Sequence, residues 1–157
     1  MPSRRRILLG LAAATTATAA AAWVVTRPTL QVSAPGGLAL GGTDPVAYFT
    51  ENRPVAGTLA HAAQWMGVRW TFASAANRNA FFADPERRAP AYGGYCAWAV
   101  SANQTAATES DAFSLYNGRL YLNANLRIRG RWQADKDARI ARADAFWPGV
   151  LENRLFG

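Results

Sequence analysis

The residue best suited to chemistry in this chain is Cys96, the only cysteine among 157 residues. It ends the stretch Tyr92-Gly93-Gly94-Tyr95-Cys96. A lone thiol forms no internal disulfide, so it is reactive, pairs with another chain, or is inert. Two glycines just before a helix would bring backbone N–H groups near the sulfur, which favours a thiolate and thiol-redox chemistry. The alternative is an inert core residue, because free cysteines are among the most buried residues.

A soft metal site is the second chemistry that these residue types allow. His61 is the only histidine, and a His61–Cys96 pair would offer a nitrogen and a sulfur ligand to Cu(I) or another soft metal ion. Met66 is the one further soft side chain beyond the N-terminal methionine. Because a closed metal site usually needs about four ligands, an ordinary strand histidine is the alternative for His61.

The stretch before Cys96 is also a candidate binding site for a small ligand. Tyr92, Gly93, Gly94 and Tyr95 are the predicted ligand-binding residues, since aromatic rings and accessible backbone line many small-molecule pockets. Core packing of the tyrosines is the alternative, because each aromatic side chain buries a large apolar area. The sequence contains no glycine-rich phosphate loop, zinc-protease helix motif or serine-nucleophile elbow, so it identifies no reaction.

The first 27 residues predict an export signal. Arg4 and Arg5 follow Ser3, and an uncharged stretch of 19 residues runs from Ile7 to Val25. The pattern resembles the twin-arginine signal, which carries folded proteins across the bacterial inner membrane. Nineteen residues also just suffice for an inner-membrane anchor, but the weak hydrophobicity of Ala and Thr favours a cleaved signal. In both cases we expect the rest of the chain in the periplasm, free or anchored.

The charge of the exported part argues against a nucleic-acid partner. The whole chain has a net charge of +7, but residues 1–27 contain four arginines and no acidic residue. The remainder has 13 basic and 10 acidic residues, which leaves a net charge of +3. A dedicated nucleic-acid binder carries a stronger positive charge. The expected partner is therefore an envelope protein or a small ligand.

Local patterns after the signal predict a small α+β domain at residues 42–151. Residues 28–41 contain several Pro and Gly residues and are predicted to be a linker. Residues 152–157 are predicted to be a tail. The expected domain has two β-hairpins, several short helices and a helical C-terminus, and it follows the N-terminal signal or anchor helix.

Turn and cap residues locate the expected elements. Gly67 marks a first hairpin at 58–72, and Asn117-Gly118 marks a second one at 113–122, because Asn-Gly favours the type I′ turn. Ser74 and Asp84 are predicted to cap two short helices, and Asn125 to cap the C-terminal helical region.

Five short motifs, in this order, resemble the small exported branch of the bacterial YHS-domain proteins. The motifs are Gly-Thr-Asp-Pro-Val-Ala-Tyr-Phe at 42–49, Trp-Thr-Phe-Ala-Ser-Ala-Ala-Asn-Arg at 70–78, Phe-Phe-Ala-Asp-Pro-Glu at 81–86, Tyr-Gly-Gly-Tyr-Cys-Ala at 92–97 and Leu-Tyr-Leu-Asn at 120–123. Some members of this branch are described as selenoproteins, so the resemblance directs attention to Cys96.

The chain departs from the metal-binding members of that family. YHS domains attached to copper-transporting ATPases look like Asp-Pro-Val-Cys followed by Phe-Cys-Ser-x-x-Cys. Ala47, Ala73 and Asn77 stand at these cysteine positions, so the resemblance implies no thiolate site there. It implies an exported envelope module that binds a small ligand, a soft metal ion or a partner protein. A thiol-redox protein using Cys96 and a structural domain with an inert Cys96 are the alternatives.

The twin-arginine interpretation predicts that export depends on the arginine pair. Residues 1–27 fused to a folded reporter should deliver it to the periplasm, and replacing both Arg4 and Arg5 by Lys should remove most of that export. Lysine keeps the positive charge, so the loss would isolate the guanidinium pair. Periplasmic reporter activity measures the result, and unchanged export of the double variant would contradict the interpretation.

Overall fold

The structure, a computed structural model, describes residues 31–155. The predicted signal or anchor at 1–27, with Arg4 and Arg5, lies outside the described residues. Within the described range, no helix is both long and apolar enough to cross a membrane. Helices alternate with two separate two-stranded antiparallel sheets, which confirms the predicted α+β class and both hairpins.

The first hairpin pairs β1 (Thr58–Trp65) with β2 (Val68–Phe72). Met66 and Gly67 turn the chain with φ values of 50° and 73°. Positive φ at both central residues is the requirement of the type I′ turn, whose twist matches that of the strands. The register of β1 shifts between Thr58 and Ala63, so the far end of this hairpin is irregular.

Two short capped helices follow β2. Helix α2 (Ala75–Ala83) begins after Ser74, and α3 (Pro85–Arg88) begins after Asp84. Each cap side chain accepts the backbone N–H three residues later, at 3.1 Å for Ser74 and 3.2 Å for Asp84. Both predicted caps are therefore confirmed. Proline at the first position of α3 costs no hydrogen bond, because that N–H has no partner within a helix.

The second hairpin pairs β3 (Phe113–Tyr116) with β4 (Arg119–Leu122) in a regular register. Asn117 and Gly118 have φ values of 49° and 72°, so the Asn-Gly pair forms the predicted turn. The two hairpins belong to different sheets.

The C-terminal region consists of two α-helices and a final 3-10 helix. Asn125 caps α5 (Leu126–Ala134) by accepting the N–H of Ile128 at 2.9 Å, and α6 (Lys136–Phe146) follows after a break at Asp135. The 3-10 helix, Gly149–Leu155, continues past the domain boundary predicted at residue 151.

Residues 31–41 do not form the predicted linker. Val32 is 2% exposed and Ala39 is fully buried. The Pro and Gly residues form two tight 3-10 turns, Pro35–Gly37 and Ala39–Gly42, which bring the segment back onto β2. Composition predicted a linker because Pro and Gly interrupt helices and strands, but here they shape a folded segment of the domain.

The interior contains two large clusters of buried side chains and a smaller one. The hairpin cluster comprises Val32, Ala39, Val46, Val68, Trp70, Phe72 and Phe81. The C-terminal cluster comprises Ala91, Tyr92, Tyr95, Ala97, Val100, Tyr121, Trp132, Ala143, Val150 and Leu151. The small cluster comprises Tyr48, Leu120 and Leu122. The N-terminal segment thus belongs to one large cluster, and the stretch before Cys96 belongs to the other.

Asp44 is fully buried and ties the start of α1 (Ala47–Glu51) to α2. Its Oδ1 accepts the N–H of Val46 at 2.8 Å. Its Oδ2 accepts the N–H of Ala73 at 2.8 Å and the side-chain amide of Asn77 at 2.7 Å. A buried carboxylate loses its hydration, and these hydrogen bonds replace it.

We expect Asp44→Ala to lower the free energy of unfolding by about 3–5 kcal/mol, because three donors inside the domain lose their acceptor. Asp84→Ala is the matched control, since it removes one exposed helix cap and should cost about 1 kcal/mol. Urea denaturation of the purified protein measures both values. Equal losses for the two variants would contradict the central position assigned to Asp44.

Candidate functional site

The predicted binding stretch forms a left-handed turn. Tyr92, Gly93 and Gly94 have φ values of 55°, 58° and 82° within the short 3-10 segment Ala91–Gly94. The left-handed conformation costs a non-glycine residue about 1–2 kcal/mol. Tyr92 is held there because its ring is buried in the C-terminal cluster and its hydroxyl donates to Asp144 Oδ1 at 2.8 Å.

The two glycines of the turn allow the N-terminal segment of the domain to approach closely. A Cβ on Gly93 would lie 1.6 Å from the backbone oxygen of Gln31, and one on Gly94 would lie 2.4 Å from the side chain of Leu40. Ser33 donates its backbone N–H to the Gly93 oxygen at 2.8 Å. The close backbone approach therefore leaves no room for a side chain at Gly93, whereas Gly94 meets only the end of a side chain.

Cys96 lies behind the turn, at the N-terminal end of α4 (Ala97–Val100), and is 1% exposed. Its thiol lies 3.8 Å from Asn123 Oδ1, and its backbone bridges to Leu122, the last residue of β4. A sulfur so buried does not meet an oxidised partner in solution, because thiol exchange needs access as well as a thiolate. The geometry therefore favours an inert thiol over the thiol-redox alternative.

The two predicted metal ligands come from separate parts of the fold. His61 belongs to β1 in one sheet, whereas Cys96 bridges to β4 in the other. Met66 sits in the first hairpin turn and is 46% exposed. Across residues 31–155, the structure shows no group of three or more His, Cys, Asp or Glu side chains that could hold a metal ion.

A pocket of about 180 Å³ opens where the left-handed turn meets the first hairpin. Four aromatic side chains line it: Trp65, Trp70, Tyr92 and Trp147. Gly93 lines it as well, so two of the four predicted ligand-binding residues belong to its wall. Gly94 and Tyr95 instead face the interior, where both are buried.

The aromatic walls consist of two pairs in edge-to-face contact. Trp65 and Trp70 have ring centroids 5.6 Å apart at 64°, and Tyr92 and Trp147 have centroids 5.9 Å apart at 65°. The indole N–H of Trp70 donates to the Trp65 backbone oxygen at 3.1 Å, which fixes the first pair. Edge-to-face packing is the favoured arrangement of aromatic rings. Trp70 and Tyr92 are buried, whereas Trp65 and Trp147 are partly exposed and form the accessible walls.

Two charged side chains, Arg119 and Glu86, also line the pocket. Arg119 is half exposed, and its guanidinium lies 4.0 Å from Asp144 Oδ1 and 6.0 Å from the Tyr92 ring centroid. Glu86 is exposed and forms no ion pair with another residue of the described range. Among the described residues, Arg119 therefore already has an ion-pair partner, whereas Glu86 has none.

Tyr92 acts at this site as a neutral hydrogen-bond donor. Burial raises the pKa of its hydroxyl well above the ordinary value, and the hydrogen bond to Asp144 raises that pKa further. A group that holds its proton so firmly is a poor general base near neutral pH. Among the described residues, no serine, cysteine or histidine lines the pocket. The arrangement is suited to binding and offers no nucleophile–base pair.

The sequence pattern missed Trp65, Trp147, Glu86 and Arg119 as pocket residues. Trp65 lies in the first hairpin and Trp147 directly after α6. Glu86 lies in α3 and Arg119 begins β4. Trp65 and Trp147 carried the clearest available signal, because tryptophan side chains are large and rarely fully buried. Comparisons with protein-family models, curated proteins and solved structures find no match to the chain.

The burial of Cys96 predicts that alkylation requires unfolding. In the native protein, we expect iodoacetamide to modify Cys96 at least about a hundredfold more slowly than in denaturant, because the thiol becomes accessible only in open states. Mass spectrometry after timed quenching measures the modified fraction. Rapid modification of the native protein would show an accessible thiol and would restore the redox alternative.

Proposed function

We propose that this chain is an exported YHS-like domain of the bacterial cell envelope that binds a small ligand in its aromatic pocket. The observation that carries the proposal is the convergence of Trp65, Trp70, Tyr92 and Trp147 on one opening, from three separated parts of the chain. A concave site with aromatic walls and a few polar groups is the usual form of a small-molecule site. The volume of about 180 Å³ suits a ligand smaller than most drugs.

The surroundings of Asp44 support a binding site away from the positions where metal-binding YHS domains have cysteines. Ala73 and Asn77, at two of these positions, both donate hydrogen bonds to the Asp44 carboxylate. Ala47, at the remaining position, is fully buried. These residues hold α1 and α2 together, so binding in this chain belongs to a different part of the fold.

The proposed place of action is the periplasm. It rests on the Arg4-Arg5 pair and on the uncharged stretch that follows it. The domain is then either free in the periplasm or held at the inner membrane by residues 1–27. A small ligand is favoured over an envelope protein as the partner, because the aromatic rings converge on a concave site and not on a flat surface.

Thermal unfolding with a panel of small molecules tests the proposal. The panel contains amines, carboxylates and neutral alcohols, each with fewer than about ten non-hydrogen atoms. We expect one class to raise Tm by several degrees at concentrations near a hundredfold its Kd, since ligand binding to the folded state stabilises by about 2.7 kcal/mol there.

The Tm shift should depend on the pocket. Trp147→Ala should abolish it, because the variant removes an accessible wall, provided that circular dichroism shows a folded protein. Trp98→Ala is the matched control, since Trp98 is also partly buried but stacks on Arg139 away from the pocket. A shift that persists in Trp147→Ala, or no shift with any compound, would contradict the proposed function.

A further inference from the structure

The partly buried aromatic rings of this protein fall into two groups. In the described range, four of them have a cationic side chain over the ring face. These four are Phe49 with Arg88, Trp98 with Arg139, Phe113 with Arg129 and Tyr116 with Lys136. Only Trp65 and Trp147 lack such a partner among the described residues, and both line the pocket. The two partly buried rings without a cation therefore both border the pocket.

Aromatic faces attract cations because the ring quadrupole places negative charge above and below its plane, and tryptophan binds them best. The contact between Arg139 and Trp98, with 3.5 Å from the guanidinium carbon to the ring centroid, shows the same preference within this chain. Within each edge-to-face pair of the lining, the planes of the two rings differ in direction by about 65°. The lining therefore presents aromatic rings in more than one orientation.

The charged side chains at the pocket also favour a positively charged ligand. Arg119 is already engaged, because Asp144 lies 4.0 Å from it and the rings of Tyr92 and Tyr121 lie beneath its guanidinium at 6.0 and 5.7 Å. Glu86 has no ion-pair partner in the described range. An incoming anion would compete with Asp144 for Arg119, whereas an incoming cation would meet an unpaired carboxylate.

We infer that the ligand of this pocket is a small organic cation, an amine or a quaternary ammonium ion. Its charged group lies against Trp65 and Trp147 and faces Glu86. This inference rests on the proposed binding function and adds the chemical class of the ligand. The binding is non-covalent, so no bond is made or broken.

Isothermal titration calorimetry with three molecules of one shape tests the inference. Choline carries the cation, 3,3-dimethylbutan-1-ol replaces its nitrogen by carbon and is neutral, and 3,3-dimethylbutanoate is the anion. We expect choline to bind at least about tenfold more tightly than the alcohol, because only the cation gains from the ring faces and from Glu86. The butanoate should bind most weakly.

Replacing Glu86 tests whether the preference for a cationic ligand arises at the pocket. Glu86→Gln should weaken choline binding about three- to tenfold and leave binding of the alcohol unchanged. Glu51→Gln is the matched control, since Glu51 is also exposed but pairs with Arg53 at the end of α1. This variant should bind choline as tightly as the unmodified protein does.

Three results would overturn the inference while leaving the proposed function in place. In the first, choline and the alcohol bind equally and both depend on Trp147. In the second, butanoate binds most tightly and loses affinity in Arg119→Gln. In the third, none of the three binds, although another compound of the panel raises Tm in a Trp147-dependent way. Failure of every compound in both experiments would instead overturn the proposed function itself.

Discussion

The backbone at Gln31–Ser33 lies directly against the left-handed turn at Gly93, and this contact joins the two large parts of the core. Position 93 has no room for a side chain, because a Cβ there would meet the Gln31 oxygen at 1.6 Å. Val32, on one side of the contact, belongs to the hairpin cluster, and Tyr92, on the other, belongs to the C-terminal cluster. The hydrogen bond of 2.8 Å from Ser33 to Gly93 holds the two sides together.

The pocket is a consequence of this junction. Two packed clusters meet along a line of backbone, and their aromatic side chains leave an opening between them that the backbone does not fill. Tyr92 remains in a left-handed conformation because burial of its ring and its hydrogen bond to Asp144 offset a cost of about 1–2 kcal/mol. Backbone strain of this kind persists only where the surrounding structure fixes it. Packing and hydrogen bonding within the chain thus fix the Tyr92 side of the pocket.

Elements determined by nearby residues could be predicted from the sequence. Asn117-Gly118 identified the second hairpin because a type I′ turn requires two positive φ angles, which these residues adopt most readily. Ser74, Asp84 and Asn125 identified helix starts because each can accept a backbone N–H three residues later. In all of these cases, the interaction that decides the structure spans only a few residues.

Elements determined by distant residues could not be predicted in this way. Residues 31–41 contain the Pro and Gly of a linker, but their fold depends on a contact with Gly93, some sixty residues later. His61 lies on the first hairpin and Cys96 bridges to the second, and no local pattern specifies how separate sheets pack. Tyr92 and Gly93 were found through their motif, whereas Trp65 and Trp147 meet them only in the folded chain.

The structure leads to a small organic cation bound at the junction between the two clusters, and the indole N–H signals of the tryptophans provide the sharpest test of that binding. In a choline titration followed by two-dimensional ¹H–¹⁵N NMR, we expect the signals of Trp65 and Trp147 to move with a common Kd. Those of Trp98 and Trp132, which do not line the pocket, should stay in place. Shifts confined to Trp98 or Trp132, or no shift in Trp65 and Trp147 at saturating choline, would contradict binding at the junction.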